Sequence, residues 1–206
     1  MNNRKKGRVA VLLSGRGSNF ESICRYSKRE DSNFEVSFVI SNKKKALGLT
    51  LAENFGIPNL YISAKKFPTR SGYEDHLIKI LKEQNIDLIC LAGFMKILSE
   101  RFIDAFRERI VNIHPSLLPS FPGLHAQKQA VDRGVRVSGC TVHFVDTGVD
   151  SGPIILQRAV TVDPDDDERS LSEKILKYEH ELFPKAIELY FNGSLKISDG
   201  KVIIEK

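Results

Sequence analysis

The chain has 206 residues with a formal net charge of +5, and contains no run long and apolar enough for a membrane helix or a signal peptide. Its basic clusters lack interleaved aromatic residues, which disfavours a nucleic-acid site. Three dispersed cysteines form neither a CxxC motif nor a disulfide framework, which favours the cytoplasm. The length suits one domain over residues 1–206, and we expect neither membrane nor nucleic-acid partners.

Short apolar runs alternate with helical patterns in the first half of the chain. The runs predict strands at residues 9–13, 36–40, 86–92 and 110–113, and the patterns between them predict helices at 19–28, 46–55, 71–84 and 99–106. Because the runs lack clean alternation, we expect strands that are buried on both faces. This pattern is typical of an α/β fold with a doubly wound, mostly parallel open sheet and helices on both faces.

The pattern changes after residue 114. A helix at 125–132 is followed by strands at 137–145 and 153–162, which we expect to be antiparallel additions to the sheet. A long helix starts near Ser170, and Pro184 should interrupt or kink it. The chain then forms a small hairpin around Asp199-Gly200, with strands at 195–197 and 202–204.

A glycine-containing loop, Ser14-Gly15-Arg16-Gly17-Ser18-Asn19, directly follows the first predicted strand. Ser18 and Glu21 have the spacing of a capping box, and free amides at this helix start would attract a phosphate. An ordinary glycine turn would give the same pattern. The loop is not a GxxxxGK[ST] motif, and Phe20 replaces the third glycine of GxGxxG, which disfavours NAD.

Two chemically competent side chains, Asn112 and His114, end the fourth run just before Pro115. Residues two apart in a strand share a face, so both should lie side by side. An amide and an imidazole at the carboxyl end of a strand indicate a reaction centre, although a loop-bonding amide and a structural histidine would look alike. A carboxylate would orient the imidazole, and Asp150 and Asp146 are both candidates.

Four segments together resemble the phosphoribosylglycinamide formyltransferases: residues 14–19, 91–99, 112–130 and 150–153. That family transfers the formyl group of 10-formyltetrahydrofolate, its cosubstrate, to the amine of glycinamide ribonucleotide in de novo purine synthesis. The resemblance implies that Asn112, His114 and Asp150 form the catalytic set, which favours Asp150 over Asp146. It implies no metal, and either a monomer or a homodimer is expected.

The same resemblance implies the ligand contacts. The substrate phosphate would bind Gly17, Ser18 and Asn19, and the ribose would contact Glu179. The folate would contact Arg70, Met95, Lys96, Ile97, Leu98 and Asn112.

The expected chemistry fits these residue types. The substrate amine attacks the formyl carbon, and the Asn112 amide and a protonated His114 can donate hydrogen bonds to the resulting oxyanion. Asp150 would favour the imidazolium and help to move protons. The roles of His143 and Thr141, which share a predicted strand face, stay open.

Three alternative functions remain. One is a formyltetrahydrofolate hydrolase and another is a methionyl-tRNA formyltransferase, although we expect those enzymes to carry a further domain. The third is a noncatalytic nucleotide-binding module on the same type of sheet.

Overall fold

The computed structural model describes residues 5–205 and divides into two compact units between Val111 and Asn112. The first unit contains strands β1 (Gly7–Leu13), β2 (Phe34–Ser41), β3 (Asn59–Tyr61) and β4 (Leu88–Leu91). Its helices are α1 (Ser18–Ser27), α2 (Leu47–Asn54), α3 (Arg70–Glu83) and α4 (Glu100–Ala105), with a short 3-10 helix at Ala64–Lys66. Strand β5 (Ile110–His114) crosses the boundary.

The second unit continues with α5 (Ala126–Asp132), β6 (Val137–Phe144), β7 (Ile154–Thr161) and α6 (Glu168–Phe191). It ends in the hairpin of β8 (Leu195–Ser198) and β9 (Lys201–Ile204). This hairpin is a separate antiparallel pair, as the Asp199-Gly200 turn predicts. Between residues 5 and 205, no helix combines the length and apolar composition that a membrane span requires.

Seven strands form one sheet in the order β3-β2-β1-β4-β5-β6-β7. Strand β1 pairs in parallel with β2 and β4, and β2 pairs in parallel with β3. Strands β6 and β7 are antiparallel. The predicted α/β fold, mostly parallel with antiparallel additions in the second half, is therefore confirmed, whereas a single domain over residues 1–206 stays a prediction.

Complete burial of the central strands explains why their apolar runs lack alternation. Every residue from Val9 to Leu13 in β1 is inaccessible to solvent, and so are Leu88, Ile89 and Cys90 in β4. In the second unit, α6 packs against β6 and β7 and carries a fully buried stripe that includes Leu171, Ile175 and Phe183. This buried packing fixes the carboxyl end of β5, where Asn112 and His114 lie.

Two features of the fold differ from the sequence pattern. Strand β3 has only three residues and Leu60 at its centre is 41% exposed, so no apolar run announces this edge strand. Helix α6 continues through Pro184 without interruption. The buried neighbours Phe183, Ala186 and Ile187 anchor the helix on both sides of the proline, and this packing outweighs its local disruption.

Candidate active site

Asn112 and His114 lie at the carboxyl end of β5, where Pro115 ends the strand. Residues Val111 and Ile113 alternate with them and are buried, and His114 itself is only 5% exposed. The side chains of Asn112 and His114 therefore share one face of a strand that the surrounding core holds rigidly.

Asp150 lies beside His114 although it comes 36 positions later in the sequence. Its Oδ2 atom is 3.2 Å from His114 Nδ1 and accepts a 2.8 Å hydrogen bond from the backbone N–H of Gly123. Asp150 has a φ of +52°, a left-handed conformation that aspartate and asparagine adopt more readily than most residues. The rival Asp146 instead accepts hydrogen bonds from Gly148 N and Ser151 Oγ, which is a turn-stabilising role.

Both ring nitrogens of His114 face hydrogen-bond acceptors. Nδ1 faces the Asp150 carboxylate, and Nε2 lies 2.8 Å from the carbonyl oxygen of Phe121. An imidazolium has a donor on each nitrogen, so it could satisfy both acceptors at once. The ring is thereby held in one orientation with a negative charge beside it.

Asn112 is oriented by a second histidine. Its Nδ2 atom is 3.2 Å from His143 Nε2 and 3.5 Å from Asp150 Oδ1. Because His143 Nδ1 lies 2.8 Å from the carbonyl oxygen of Phe144, we assign the proton to Nδ1 and leave Nε2 to accept from Asn112. The hydrogen bond to Asp150 is long, so the second amide hydrogen of Asn112 remains open to a better acceptor.

Burial lowers the pKa of His143 below its ordinary value. The side chain is about 2% exposed, and this desolvation outweighs the opposing effects of the Phe144 carbonyl and the Asp150 charge. His143 therefore stays neutral under conditions where an exposed histidine begins to gain a proton. This neutral form is the one that can accept the Asn112 hydrogen bond.

The pKa of His143 predicts a pH-dependent contribution to stability. Since the folded pKa is lower than the unfolded value of about 6.5, the unfolded chain binds more protons as pH falls through that range. The stabilisation by neutral His143 is complete above about pH 6.5 and declines below it, by at most about 1.4 kcal/mol per pH unit. Urea unfolding of the wild type and His143→Gln between about pH 5 and 8 measures it. Parallel stability curves for the two proteins would contradict the assignment.

Thr141 and Gln157 brace the loop that follows β5. The Thr141 hydroxyl donates to the carbonyl of Ser116 at 2.7 Å and accepts from Leu118 N at 3.1 Å. Gln157, directly opposite Thr141 in the β6–β7 pairing, donates to both Thr141 Oγ1 and the Leu118 carbonyl. These bonds fix the start of the loop whose Phe121 carbonyl and Gly123 N–H contact His114 and Asp150.

The glycine loop of the first unit opens α1 differently from the expected pattern. Gly17 is the N-cap residue, with a φ of +82°, and no side chain caps the helix, so the predicted capping box of Ser18 and Glu21 is wrong. Ser18 is already helical, and Glu21 pairs with Arg25 on the next turn at 2.7 Å. The first turn of a helix presents amides without intrahelical acceptors, so the loop keeps the character of an anion site.

The first unit also brings Arg70 to the segment of residues 95–98. Arg70 Nη2 donates to the carbonyl of Ile97 at 2.7 Å, and the Met95 N–H donates to Ser14 Oγ at 2.8 Å. The side chains of Met95 and Ile97 are 60% and 69% exposed, whereas Leu98 is buried. The segment thus presents apolar side chains to solvent from an anchored backbone.

Comparison with known proteins gives the chain its family. The model of the formyl transferase family matches residues 7–187. The chain belongs to the formyl transferase family. Together with the relatives described next, this match confirms the resemblance that the sequence motifs carry.

The chain spans different shares of its relatives' own lengths. The trifunctional purine biosynthetic protein adenosine-3 of Drosophila melanogaster is 51% identical over 200 residues, which cover 96% of this chain but 15% of that protein. The phosphoribosylglycinamide formyltransferase of Bacillus subtilis (strain 168) is 39% identical over 181 residues, 88% of this chain and 93% of that protein. The crystal structure of glycinamide ribonucleotide transformylase 1 from Symbiobacterium toebii has a TM-score of 0.96 and 43% identity, and the match covers 98% of this chain and 95% of that one.

Several polar residues that the sequence singled out have contacts or burial that the structure defines. In the second unit, both His114 and Asn112 contact the Asp150 carboxylate, at 3.2 Å and 3.5 Å. Glu179, the predicted ribose contact, is a buried residue of α6. Within residues 5–205 there is no group of three or more His, Cys, Asp or Glu side chains that could hold a metal ion. The roles of all these residues stay predictions.

Thr141, His143 and Gln157 are polar residues of β6 and β7 whose roles the sequence did not assign. For Thr141 and His143 the available signal was two alternating polar side chains in an otherwise apolar strand, and both are buried in β6. Gln157 is exposed on β7 and offered no such signal. Burial of a polar side chain implies a specific partner. Only the strand pairing reveals which partner each one has.

Proposed function

We propose that this chain transfers the formyl group of 10-formyltetrahydrofolate to the amine of glycinamide ribonucleotide. The observation that carries the proposal is the 3.2 Å approach of Asp150 to His114, with Asn112 on the same strand face. The close similarity to proteins named for this activity supports it. The chain spans only 15% of the trifunctional relative from Drosophila melanogaster. The name of that relative therefore does not assign the activity, and the proposal rests on the residues of this chain.

The proposed reaction is a direct transfer between two nitrogen atoms. The substrate amine forms a bond to the formyl carbon, and the bond from that carbon to the folate nitrogen then breaks. Negative charge develops on the formyl oxygen, where the open amide hydrogen of Asn112 and the positive charge of His114 stabilise it. The proton lost by the amine is delivered to the departing folate nitrogen, and the Asp150 and His114 pair holds and moves it.

The substrate phosphate is assigned to the amides of Gly17, Ser18 and Asn19 at the start of α1. Gly17 has a left-handed conformation at the N-cap of α1, and no side chain caps this helix. Its first amides are therefore available to an anion, which a helix N-terminus favours. Glu179 is assigned to the ribose hydroxyls, for which a carboxylate is a suitable acceptor.

The folate is assigned to Arg70 and to Met95, Lys96, Ile97 and Leu98. The exposed Met95 and Ile97 side chains offer apolar contact to a planar ring, and the backbone of the segment offers hydrogen bonds. Asn112 contacts the formyl group itself in this proposal. No metal is required for the reaction.

Substitution of Gly17 tests the phosphate assignment. An alanine Cβ would lie 2.7 Å from Gly48 Cα, on a backbone with a φ of +82°. We expect Gly17→Ala to lower the free energy of unfolding by about 1–3 kcal/mol and to raise KM for glycinamide ribonucleotide at least about threefold. Urea unfolding and steady-state kinetics measure the two effects. Gly15→Ala is the matched control, because within the described chain nothing lies within 4 Å of its added Cβ; equal KM values for the two variants would contradict the assignment.

The proposed function is tested by following the absorbance change as 10-formyltetrahydrofolate is converted to tetrahydrofolate. We expect turnover only when glycinamide ribonucleotide is present. Equal consumption without this acceptor would contradict the transferase and indicate the hydrolase instead. No consumption with the acceptor would favour a noncatalytic module.

A cytoplasmic location is also proposed. The three cysteines, Cys24, Cys90 and Cys140, are free and buried, and burial raises the pKa of each thiol, that of Cys140 to about 12. Thiols in this state suit a reducing compartment. Small-molecule substrates and either a monomer or a homodimer are proposed for the same chain.

A further inference from the structure

Glu74 is a buried charge that the proposed reaction does not use. It lies on α3 and is only 3% exposed. A carboxylate is rarely buried unless charged or polar partners compensate for its lost hydration. The partners of Glu74 therefore indicate why the charge is there.

The Glu74 carboxylate joins α3 to the start of α4. Its Oε1 atom accepts hydrogen bonds from Arg70 Nε at 3.0 Å and from the Ser99 N–H at 3.1 Å, and its Oε2 atom accepts from the Ser99 hydroxyl. Ser99 is the N-cap residue of α4, where its hydroxyl accepts from Phe102 N. One carboxylate thus fixes both an arginine and a helix start.

Arg70 carries the connection onward to the segment of residues 95–98. While Nε bonds Glu74, Nη2 donates to the carbonyl of Ile97, two residues before Ser99. Three hydrogen bonds and the backbone from Ile97 to Ser99 therefore close a ring that includes Arg70 and Glu74. At its other end the segment is held by the bond from Met95 N to Ser14 Oγ, so both ends of residues 95–98 are anchored.

We propose that Glu74 is a positioning residue for folate binding. Its buried carboxylate holds the half-exposed Arg70 side chain in one rotamer and holds the Ile97–Ser99 backbone in the conformation that receives the folate. This inference rests on the proposed function, which assigns Arg70 and residues 95–98 to the folate. Without Glu74, Arg70 must be ordered anew each time the ligand binds, which weakens affinity.

The substitution Glu74→Gln removes the charge while keeping the side-chain shape. We expect KM for 10-formyltetrahydrofolate to rise about 3- to 10-fold, the effect of one freed side chain, while kcat and KM for glycinamide ribonucleotide stay within about twofold. The Kd for tetrahydrofolate, measured by titration calorimetry, should rise by the same factor. A purely structural role of Glu74 would not move the folate constants selectively.

Asp75→Asn provides a matched control. Asp75 is the next residue of α3 and also pairs with α4, through Arg101 at 2.9 Å, but its side chain is 42% exposed. We expect its folate KM to equal that of the wild type. A similar rise in both variants would overturn the specific role of Glu74.

A double-mutant cycle tests whether Glu74 acts through Arg70. Because Glu74 also bonds Ser99 directly, Arg70→Ala combined with Glu74→Gln should raise the folate Kd by less than the product of the two single effects, whereas fully multiplied effects would contradict the proposal. Should Glu74→Gln fail to fold, Glu74→Asp keeps the charge but is too short to reach Arg70 and Ser99 together, and its folate KM should also rise. An unchanged folate KM in a folded Glu74 variant overturns the inference.

The wild-type protein separates this inference from the proposed function. If the wild type transfers formyl groups and Glu74→Gln retains the wild-type folate KM and Kd, only the positioning role fails. If the wild type neither transfers formyl groups nor binds tetrahydrofolate, the proposed function fails first.

Discussion

Asp150→Asn should lower kcat for formyl transfer about 10²- to 10³-fold with little loss of stability. The substitution removes the negative charge that lies 3.2 Å from His114 Nδ1, and with it the group that favours the imidazolium and moves the proton. Asparagine has the same shape and tolerates the φ of +52° at this position. Its amide oxygen can still accept from the Gly123 N–H, so the loop should keep its conformation.

Steady-state kinetics and urea unfolding of Asp150→Asn measure these two effects separately. Asp146→Asn is the matched control, since Asp146 lies in the same link and bonds only within its turn in the described structure. We expect nearly wild-type kcat from this control. Wild-type turnover in folded Asp150→Asn would remove Asp150 from the catalytic set.

His114→Ala should lower kcat at least about 10²-fold, because it removes the positive charge that stabilises the developing oxyanion. The variant should also be less stable by about 1–3 kcal/mol, since the buried His114 ring leaves a cavity and the Phe121 carbonyl loses its shorter hydrogen bond, the one at 2.8 Å. Kinetics at saturating concentrations of both substrates gives kcat, and urea unfolding gives the stability change.

A histidine outside the proposed site controls for the loss of imidazole. His76 is an exposed residue of α3 that contacts the Phe67 ring, and we expect His76→Ala to keep its kcat. If His114→Ala were folded and lost less than about tenfold in kcat, His114 would not supply the proposed charge stabilisation.

Much of the fold follows directly from local sequence. The unbroken apolar run in β1 predicts a strand covered on both faces, and its residues are fully buried. The Asp199-Gly200 turn predicts the last hairpin. In contrast, β3 owes its existence to pairing with β2, and Gly17 rather than Ser18 caps α1 because the tight turn requires a left-handed residue.

The candidate site was predictable only in part. Asn112 and His114 follow from two-residue spacing at a strand end, but the approach of Asp150 depends on how the β6–β7 link folds back. The sequence alone left Asp146 open, and only the family resemblance favoured Asp150. Glu74 resembles an ordinary charged residue on a helix surface, since its burial and its bond to Ser99 arise from tertiary packing.

The most direct test of the central claim is to follow the formyl carbon itself. Purified protein is incubated with 10-formyltetrahydrofolate carrying ¹³C in the formyl group and with glycinamide ribonucleotide, and the label is observed by NMR. We predict that the labelled formyl carbon becomes bonded to the amine nitrogen of the ribonucleotide. With Asp150→Asn this product should form at least about 10² times more slowly. Label recovered as formate, or a rate unaffected by this substitution, would contradict the account.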